Sequence, residues 1–268
     1  MMRLACFLVA LALPFAAIAA IAATHGGLPV YGYTVVHVYP HDPHAYTEGL
    51  FYRNGYLYES TGQTGNSSVR KVELATGKVL QKGRTPWPDY GEGIVAWNDR
   101  LIQLTWRKHE GFIYDLATLK PLARFFYPGE GWALTTDGTW LYMSDGTPVI
   151  RKLDPATLHE VGRITVTVNG KPLANINELE WVNGQIFANV WLTHRIARID
   201  PATGKVVAWI DLTGLGPDPA SLPDPENDVL NGIAWDAVHR RLFVTGKCWP
   251  HVYQIRLVDP PPVHRPVD

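Results

Sequence analysis

The sequence predicts an all-β protein, and within that class a five-bladed β-propeller. Glycine and proline together account for 45 of the 268 residues (24 + 21), so turns recur about every six residues and leave little room for long helices. A short strand, a polar turn and a second strand form a unit that recurs five times along the chain. In four of these units a related turn ends a third strand.

The spacing of the five units is typical of propeller blades. Their second strands begin at Leu57, Leu101, Leu141, Ile186 and Leu242, which are 44, 40, 45 and 56 residues apart. Repeats of roughly 40–50 residues are the sequence signature of a four-stranded blade. A β-sandwich with accidental repetition is the alternative, and it does not explain matching turns at matching offsets.

The third-strand turns indicate that each unit has four strands. They read LATG, LATL, DPATL and DPATG, at residues 74–77, 116–119, 154–158 and 200–204, and each is followed by another apolar strand. The last unit has no fourth strand after Leu257, whereas Tyr33–Tyr39 is a spare strand before the first unit. Because free strand edges are unfavourable, we expect Tyr33–Tyr39 to close the ring as the outer strand of the last blade.

The N-terminal segment is expected to lie outside the propeller. Arg3 is followed by a small and apolar run, Leu4–Ala23, which predicts a signal peptide over residues 1–23. The run is also long enough to serve as an uncleaved anchor. Residues 24–268 are then one exported propeller domain, periplasmic or secreted. Cys248 is the single cysteine after this segment, so no intramolecular disulfide is expected.

Charge composition argues against two classes of partner. Lysine and arginine number 24 and aspartate and glutamate 25, for a net charge of −1. Binding to nucleic acid or to an anionic membrane depends on excess positive charge. We therefore expect no nucleic-acid partner and no membrane contact beyond the signal segment.

Aligning the repeats identifies residues that share a place around the ring. Two positions flank the open end of the same hairpin, one nine residues before the start of each second strand and one five residues after it, with two extra residues allowed in the last unit. Their side chains should therefore cluster at one end of the propeller. The first set is Glu48, Glu92, Trp132, Asn177 and Asn231, and the second is Gly62, Trp106, Gly146, Trp191 and Lys247.

The predicted cluster resembles a small-molecule pocket. It combines three tryptophans with carboxylates, carboxamides and a lysine, and Tyr46 and Tyr90 precede the two glutamates by two residues. Each tryptophan alone could be packing material, but the set favours a pocket. Burial raises a carboxyl pKa, so Glu92, between two glycines, is the best candidate for an acid/base. Lys247 could stabilise an oxyanion or pair with either glutamate.

Metal and hydrolase signals are weak. His41 and His44, with Asp42, have some metal-ligand character, but their proline-containing loop favours solvated histidines. The loop with Asp224, Glu226 and Asp228 could bind calcium, although acidic loops usually bind only water. No zinc-type set of cysteines and histidines and no G-x-S-x-G motif is found in the sequence. We predict no catalytic metal.

The ordered motifs resemble those of the glutaminyl-peptide cyclotransferases of the plant-latex and bacterial type, from Tyr33 to about Arg256. The motifs are YTEGL, YESTG, SSVRKVEL, GEGI, GFIYDL, LTTDG, YMSDGT, INELEW, ANVW, IARID, DVLNGIAWD and FVTGKCWP. The resemblance implies a five-bladed propeller that converts the N-terminal glutamine of peptides or proteins to pyroglutamate and releases ammonia.

The resemblance also implies roles for individual residues. Glu92, the glutamate of GEGI, matches the proposed acid/base, and some family members have Gln in place of Glu48 and Phe in place of Tyr46 and Tyr90. The matched pocket positions are Tyr46, Glu48, Tyr90, Trp106, Trp132, Asn177, Trp191 and Lys247; Asn231 joins them from the repeat alignment alone. No cofactor is expected for catalysis, although a cation in the central channel of some members leaves a structural ion open.

Two other functions compete with this hypothesis. The same aromatic cup could bind a small ligand or a peptide N-terminus without catalysis. A hydrolase or lactonase of another propeller type is the third interpretation, and it would need several calcium or carboxylate ligands at the axis.

Overall fold

The structure is a computed structural model that describes residues 27–260. The predicted signal segment, residues 1–23, lies outside the described residues. Within the described part of the chain, no helix is long and apolar enough to cross a membrane.

Residues 27–260 are almost entirely β-structure, which confirms the predicted all-β class. They form 22 strands and a single 3-10 helix at Pro219–Ser221. In the first half of the chain the strands are β1 (Val30–Pro40), β2 (Thr47–Arg53), β3 (Tyr56–Thr61), β4 (Ser68–Glu73), β5 (Val79–Arg84), β6 (Gly91–Trp97), β7 (Arg100–Thr105), β8 (Glu110–Asp115), β9 (Pro121–Phe126), β10 (Ala133–Thr136) and β11 (Leu141–Ser144). In the second half they are β12 (Val149–Leu153), β13 (Glu160–Thr165), β14 (Thr167–Val168), β15 (Lys171–Pro172), β16 (Ile176–Val182), β17 (Gln185–Val190), β18 (Arg195–Ile199), β19 (Val206–Asp211), β20 (Leu230–Asp236), β21 (Arg241–Gly246) and β22 (His251–Val258).

The strands pair mainly with their neighbours in the chain. Strands β2–β5, β6–β9 and β10–β13 form three four-stranded antiparallel sheets, and β14 and β15 form a small hairpin. The remaining strands form one eight-stranded sheet in the order β16-β17-β18-β19-β1-β22-β21-β20. Each repeated unit of the sequence therefore gives its strands to one sheet.

The repeated third-strand turn has the same backbone geometry in all four units. Its last residue has a positive φ each time, +68° at Gly77, +55° at Leu119, +60° at Leu158 and +69° at Gly204. Positive φ is uncommon for leucine, so the turn and not the residue type sets this conformation. The carboxylate of Asp154, Asp115 or Asp200 at the start of three of these turns accepts backbone N–H groups or a threonine hydroxyl within the turn.

Strand β1 covers two strand edges at once. It runs antiparallel to β22 from Gly32↔Val258 to Pro40↔His251, and it pairs in parallel with β19 through Val30↔Trp209 and Tyr31↔Ile210. Because both neighbours of β1 gain backbone hydrogen bonds, the first and last strands of the described chain are held together.

The first strands of the units contact one another in a closed series: β2 with β6, β6 with β10, β10 with β16, β16 with β20 and β20 with β2. Glycines allow the closest approaches. A Cβ atom on Gly49 would lie 2.7 Å from the Ile94 nitrogen, and one on Gly93 would lie 2.3 Å from the Ala133 Cα. Apolar side chains fill the space between adjacent sheets, as with Val69, Ile94 and Tyr114, each at most 1% exposed.

Two carboxyls on β16, the buried Glu178 and the partly buried Glu180, bond to the backbone of other first strands. Glu178 accepts hydrogen bonds from the Leu50 nitrogen at 3.3 Å and the Ile233 nitrogen at 2.9 Å. Glu180, two residues on and on the same face of the strand, accepts from the Trp235 nitrogen at 2.8 Å. Burial raises the pKa of Glu180 to about 8, and it raises that of Glu178 as well.

The Glu180 carboxyl should make the protein less stable as the pH rises. Its pKa is higher in the folded protein than in the unfolded chain, so the stabilisation is full below about pH 4.5 and is lost as the pH rises towards 8. Glu180→Gln removes this titration. We expect the melting temperature of the original protein to fall on the order of 5–10 °C more between pH 5 and pH 8 than that of Glu180→Gln. Equal pH dependence of the two melting curves would show that Glu180 is ionised in the fold.

Candidate active site

Local irregularities in the first strands place four of the predicted side chains. Glu48, Glu92, Asn177 and Asn231 each lie where the register with the second strand shifts, between Thr47 and Gly49 in the first case and at the equivalent points in β6, β16 and β20. A β-bulge breaks the strict alternation of side chains and turns a residue towards the end of the sheet. The repeated position at the start of these first strands therefore carries polar groups to one end of the molecule.

Backbone hydrogen bonds bring the second predicted set next to the first. The nitrogen of Trp106 donates to the Tyr90 oxygen at 3.1 Å, that of Gly62 to the Tyr46 oxygen at 2.8 Å, and that of Trp191 to the Asn175 oxygen at 2.9 Å. Each bond closes the open end of a hairpin. This shared bond is the physical reason that the two repeat positions adjoin in space.

The two sets enclose a cavity of about 250 Å³. A water molecule takes up about 30 Å³ in the liquid, so the cavity has the volume of roughly eight waters. This suits a single amino-acid residue of a substrate. The residues that line it are Tyr46, Glu48, Tyr90, Glu92, Trp106, Trp132, Asn177, Trp191, Asn227 and Lys247. Nine of the ten predicted site residues thus lie together, and the tenth, Asn231, adjoins them through its Nδ2, 3.4 Å from Glu48 Oε2.

Glu48 and Lys247 form a buried ion pair at the base of the cavity. The Lys247 Nζ lies 2.8 Å from both carboxylate oxygens of Glu48 and 4.6 Å from the ring centre of Tyr46. The Tyr90 hydroxyl donates to Glu48 at 3.1 Å. Burial raises the pKa of Glu48 while Lys247 opposes the rise; the Glu48 charge raises the pKa of Lys247 against the effect of burial. The sequence left open which glutamate pairs with Lys247, and in the structure it is Glu48.

Glu92 has no such partner. It is 6% exposed, and none of the described residues donates a hydrogen bond to its carboxyl. Burial raises the pKa of Glu92 well above its usual value, and the negative charge of Glu48 raises it further. The Glu92 carboxyl therefore holds a proton more readily than an exposed glutamate does, as suits a group that exchanges protons with a bound molecule, whereas Glu48 is tied to a fixed cation.

Aromatic rings make up the walls. Tyr90 and Trp106 have ring centres 5.6 Å apart, and Trp132 and Trp191 meet edge to face at the same separation. Glycines lie under two of these rings, since a Cβ on Gly62 would be 2.5 Å from the Tyr90 ring and one on Gly146 would be 2.6 Å from Trp132. The mixture of glycine and tryptophan at one repeat position thus has a steric cause.

Unfilled hydrogen-bonding atoms lie at and behind the cavity. Asn177 is 3% exposed and its buried Oδ1 accepts no hydrogen bond from the described residues. Behind it, Asn231 Oδ1 also lacks a donor, although its Nδ2 donates to the Thr47 oxygen at 2.9 Å. Buried polar atoms are normally paired, so the free Asn177 acceptor indicates a ligand with N–H groups.

Repeat alignment missed Asn227, which reaches the cavity from the loop between β19 and β20. That loop lies outside the four-stranded unit, so no repeat position marks it. Its Asp224 and Asp228 are used within the loop, where they accept hydrogen bonds from the backbone of residues 224, 226 and 227. The acidic sequence pattern of this segment does not by itself indicate a residue of the cavity.

His41 and Asp42, two of the candidate metal ligands, are already bonded to other protein groups. His41 is buried, with Nδ1 2.7 Å from the Trp249 oxygen and Nε2 2.9 Å from Glu59, and the intervening Asp42 pairs with Arg70 at 2.7 Å. Within residues 27–260, no three or more histidine, cysteine, aspartate or glutamate side chains are grouped to hold a metal ion.

Comparison with known proteins gives one consistent family. The family model described as glutamine cyclotransferase matches residues 7–257. A curated glutaminyl-peptide cyclotransferase of Arabidopsis thaliana is 45% identical over 225 residues, which cover 83% of this chain and 70% of the relative. The crystal structure of Myxococcus xanthus glutaminyl cyclase is similar with a TM-score of 0.78 and 33% identity, over 87% of this chain and 99% of that one. By sequence and by structure, this chain belongs to the glutamine cyclotransferase family.

Proposed function

We propose that the aromatic cavity is the active site at which this enzyme converts an N-terminal glutamine of a peptide or protein to pyroglutamate and releases ammonia. Membership of the family and the name of the curated relative support the reaction. The observation that carries the choice of site is the buried and unpartnered carboxyl of Glu92 beside the Glu48–Lys247 pair.

Glu92 moves one proton between the two nitrogens of the substrate. The neutral α-amine attacks the γ-carboxamide carbon, and a C–N bond forms to close the five-membered ring. Ionised Glu92 accepts the proton that the attacking nitrogen loses. It then donates that proton to the carboxamide nitrogen, the old C–N bond breaks, and ammonia leaves. The carboxyl is regenerated, and no water or other reactant is consumed.

The polar residues around Glu92 bind the reacting groups. Ionised Glu48 attracts the substrate amine without taking its proton, because Lys247 keeps Glu48 charged. Lys247 and Asn177 face the same cavity and stabilise the negative charge that develops on the carboxamide oxygen. The Asn177 side chain also offers the free acceptor described above.

The indole and phenol rings keep water out of the cavity. Water that reached the activated carboxamide would give glutamate instead of pyroglutamate. Walls formed by Trp106, Trp132, Trp191 and the two tyrosines leave room for the substrate side chain and little else, so ring closure is favoured over hydrolysis.

The proposed scaffold is a five-bladed propeller over residues 24–268, closed by β1 as the outer strand of the last blade. Three separate four-stranded sheets, the closed series of first-strand contacts and the pairing of β1 with β22 support it. The apolar run Leu4–Ala23 supports export of this domain to the periplasm or the medium.

The reaction as proposed uses no cofactor. The carboxyls of Glu178 and Glu180 already serve as acceptors of backbone N–H groups, so no ion is assigned to them. No step is assigned to a metal.

The test is ammonia release from a peptide that begins with glutamine. We expect stoichiometric ammonia and a product lighter by one ammonia, with no product from the same peptide acetylated at its N-terminus, since the free amine is the nucleophile. Binding of the glutamine peptide without ammonia would instead identify a non-catalytic binding protein.

A further inference from the structure

One carboxylate at the edge of the cavity bonds two of its tryptophan walls. Oε2 of Glu130 accepts a hydrogen bond from the Trp106 indole at 2.8 Å and another from the Trp132 indole at 2.9 Å. Trp106 follows β7 and Trp132 precedes β10, so a single oxygen links walls that come from two neighbouring sheets. Glu130 itself does not line the cavity.

The second carboxylate oxygen and the backbone carbonyl of Glu130 also accept hydrogen bonds. Oε1 accepts from Arg107 Nε at 3.0 Å, and the Glu130 carbonyl oxygen accepts from Arg151 Nη2 at 2.8 Å. Burial opposes ionisation of Glu130, but the hydrogen bonds from Trp132, Arg107 and Trp106 outweigh it and lower the pKa. The carboxylate is therefore ionised at neutral pH, and its charge is one of those that raise the pKa of Glu92.

The exposed ion pair between Arg107 and Glu130 does not explain why Glu130 lies against the two indoles. The Arg107 side chain is 64% exposed, and exposed ion pairs contribute little. The two indole N–H groups are partly buried in an apolar wall, where a donor needs a partner. The indole bonds are thus the contacts that depend on Glu130.

We propose that Glu130 is a positioning residue for cyclisation, whose carboxylate holds the indoles of Trp106 and Trp132 in place as walls of the substrate cavity. Its negative charge has a second effect, which is to favour the protonated form of Glu92 across the wall. This inference rests on the proposed function and adds to it a residue that touches neither the substrate nor the reacting atoms.

Two substitutions separate the two effects. Glu130→Ala removes both the hydrogen bonds and the charge, so we expect KM for a glutamine peptide to rise about 10-fold with a smaller fall in kcat. Glu130→Gln keeps a carbonyl oxygen for the indoles but removes the charge, so KM should stay close to the original value. In both variants the acid limb of the kcat profile should move to lower pH, because the pKa of Glu92 falls when a nearby negative charge is lost.

Two matched variants provide the controls. Glu160→Ala removes another glutamate that pairs with an arginine Nε, that of Arg163, on the outer strand β13. Arg107→Ala removes the exposed partner of Glu130 together with the guanidinium that lies 3.7 Å from the Trp106 ring centre, and it leaves the indole bonds. Glu160→Ala should keep KM within about twofold of the original value, Arg107→Ala should raise KM less than Glu130→Ala does, and both should leave the acid limb in place.

An NMR measurement tests the positioning without activity. The indole N–H signals of Trp106 and Trp132, assigned with Trp106→Phe and Trp132→Phe, should move upfield in Glu130→Ala and stay in place in Glu160→Ala. Unchanged indole signals together with an unchanged KM in Glu130→Ala would overturn the proposal, as would an Arg107→Ala variant that reproduces the Glu130→Ala defect. If Glu130→Ala fails to fold, Glu130→Gln replaces it, and indole signals that do not move when the charged acceptor becomes a neutral amide oxygen would overturn the proposal. Failure of the proposed function is distinguishable, since the original protein would then release no ammonia while its indole signals still report on Glu130.

Discussion

Replacing Glu92 by glutamine should reduce kcat for a glutamine peptide by about 10²–10⁴-fold, the usual contribution of general acid–base catalysis. Glutamine keeps the size of the side chain but cannot carry the proton from the attacking to the departing nitrogen. Steady-state ammonia release measures the loss. The fold should not suffer, because no described residue bonds to the carboxyl that is lost.

Two further measurements show whether Glu92→Gln loses activity because proton transfer is lost or because the protein is unfolded. Glu92→Gln should keep the melting temperature of the original protein or raise it slightly at neutral pH, since a neutral amide replaces a buried acid. It should also still bind a pyroglutamyl peptide, the product. An inactive variant that had lost its melting transition would say nothing about proton transfer, whereas full activity in a folded variant would contradict the assignment.

Removing the indole of Trp132 or of Trp191 should cause the second largest loss of activity, after Glu92→Gln. Trp132→Ala and Trp191→Ala each take away a large apolar surface of a cavity of about 250 Å³, and they admit water to the reacting centre. We expect kcat/KM to fall about 10- to 100-fold, mostly through KM. A rise in the fraction of glutamate over pyroglutamate, measured by mass spectrometry of the product, is expected as well.

The matched control is Trp140→Ala. Trp140 is also partly buried, with the Lys152 Nζ 4.3 Å from its ring centre, but it does not line the cavity. Its loss should lower stability and leave kcat/KM per folded molecule unchanged. If Trp132→Ala and Trp191→Ala behave in this way instead, the two indoles are packing residues.

The sequence pattern predicts those parts of the fold that depend on local repetition. Four recurring turns mark the third strands, and all four end in a residue with positive φ. The parallel pairing of β1 with β19, which joins eight strands in one sheet, is not predictable from the pattern, because it depends on where two distant segments meet. The short hairpin of β14 and β15 is an insertion with no counterpart in the other units.

In the candidate site, too, the residues at repeated positions are predictable from sequence and those placed by distant contacts are not. Residues at repeated positions, such as Glu92, Trp106 and Lys247, could be grouped from sequence because each hairpin end has the same backbone bond. Asn227 could not, since it lies in a loop outside the repeated units. Glu130 precedes Trp132 by two residues, as Tyr46 precedes Glu48, so the repeat alignment reaches it, but its bonds to two indoles depend on how neighbouring sheets meet. Which glutamate pairs with Lys247 was also open, because that choice depends on how each β-bulge aims its side chain.

The central claim is that Glu92, and not Glu48, carries the proton. The most direct measurement is kcat for Glu92→Gln and Glu48→Gln, compared side by side on one glutamine peptide. Glutamine at position 48 can still accept from Lys247 and Tyr90, so Glu48→Gln should keep most of its activity while Glu92→Gln loses about 10²-fold or more. The reverse ranking, with Glu48→Gln nearly inactive and Glu92→Gln active, would contradict the account and move the acid/base role to Glu48.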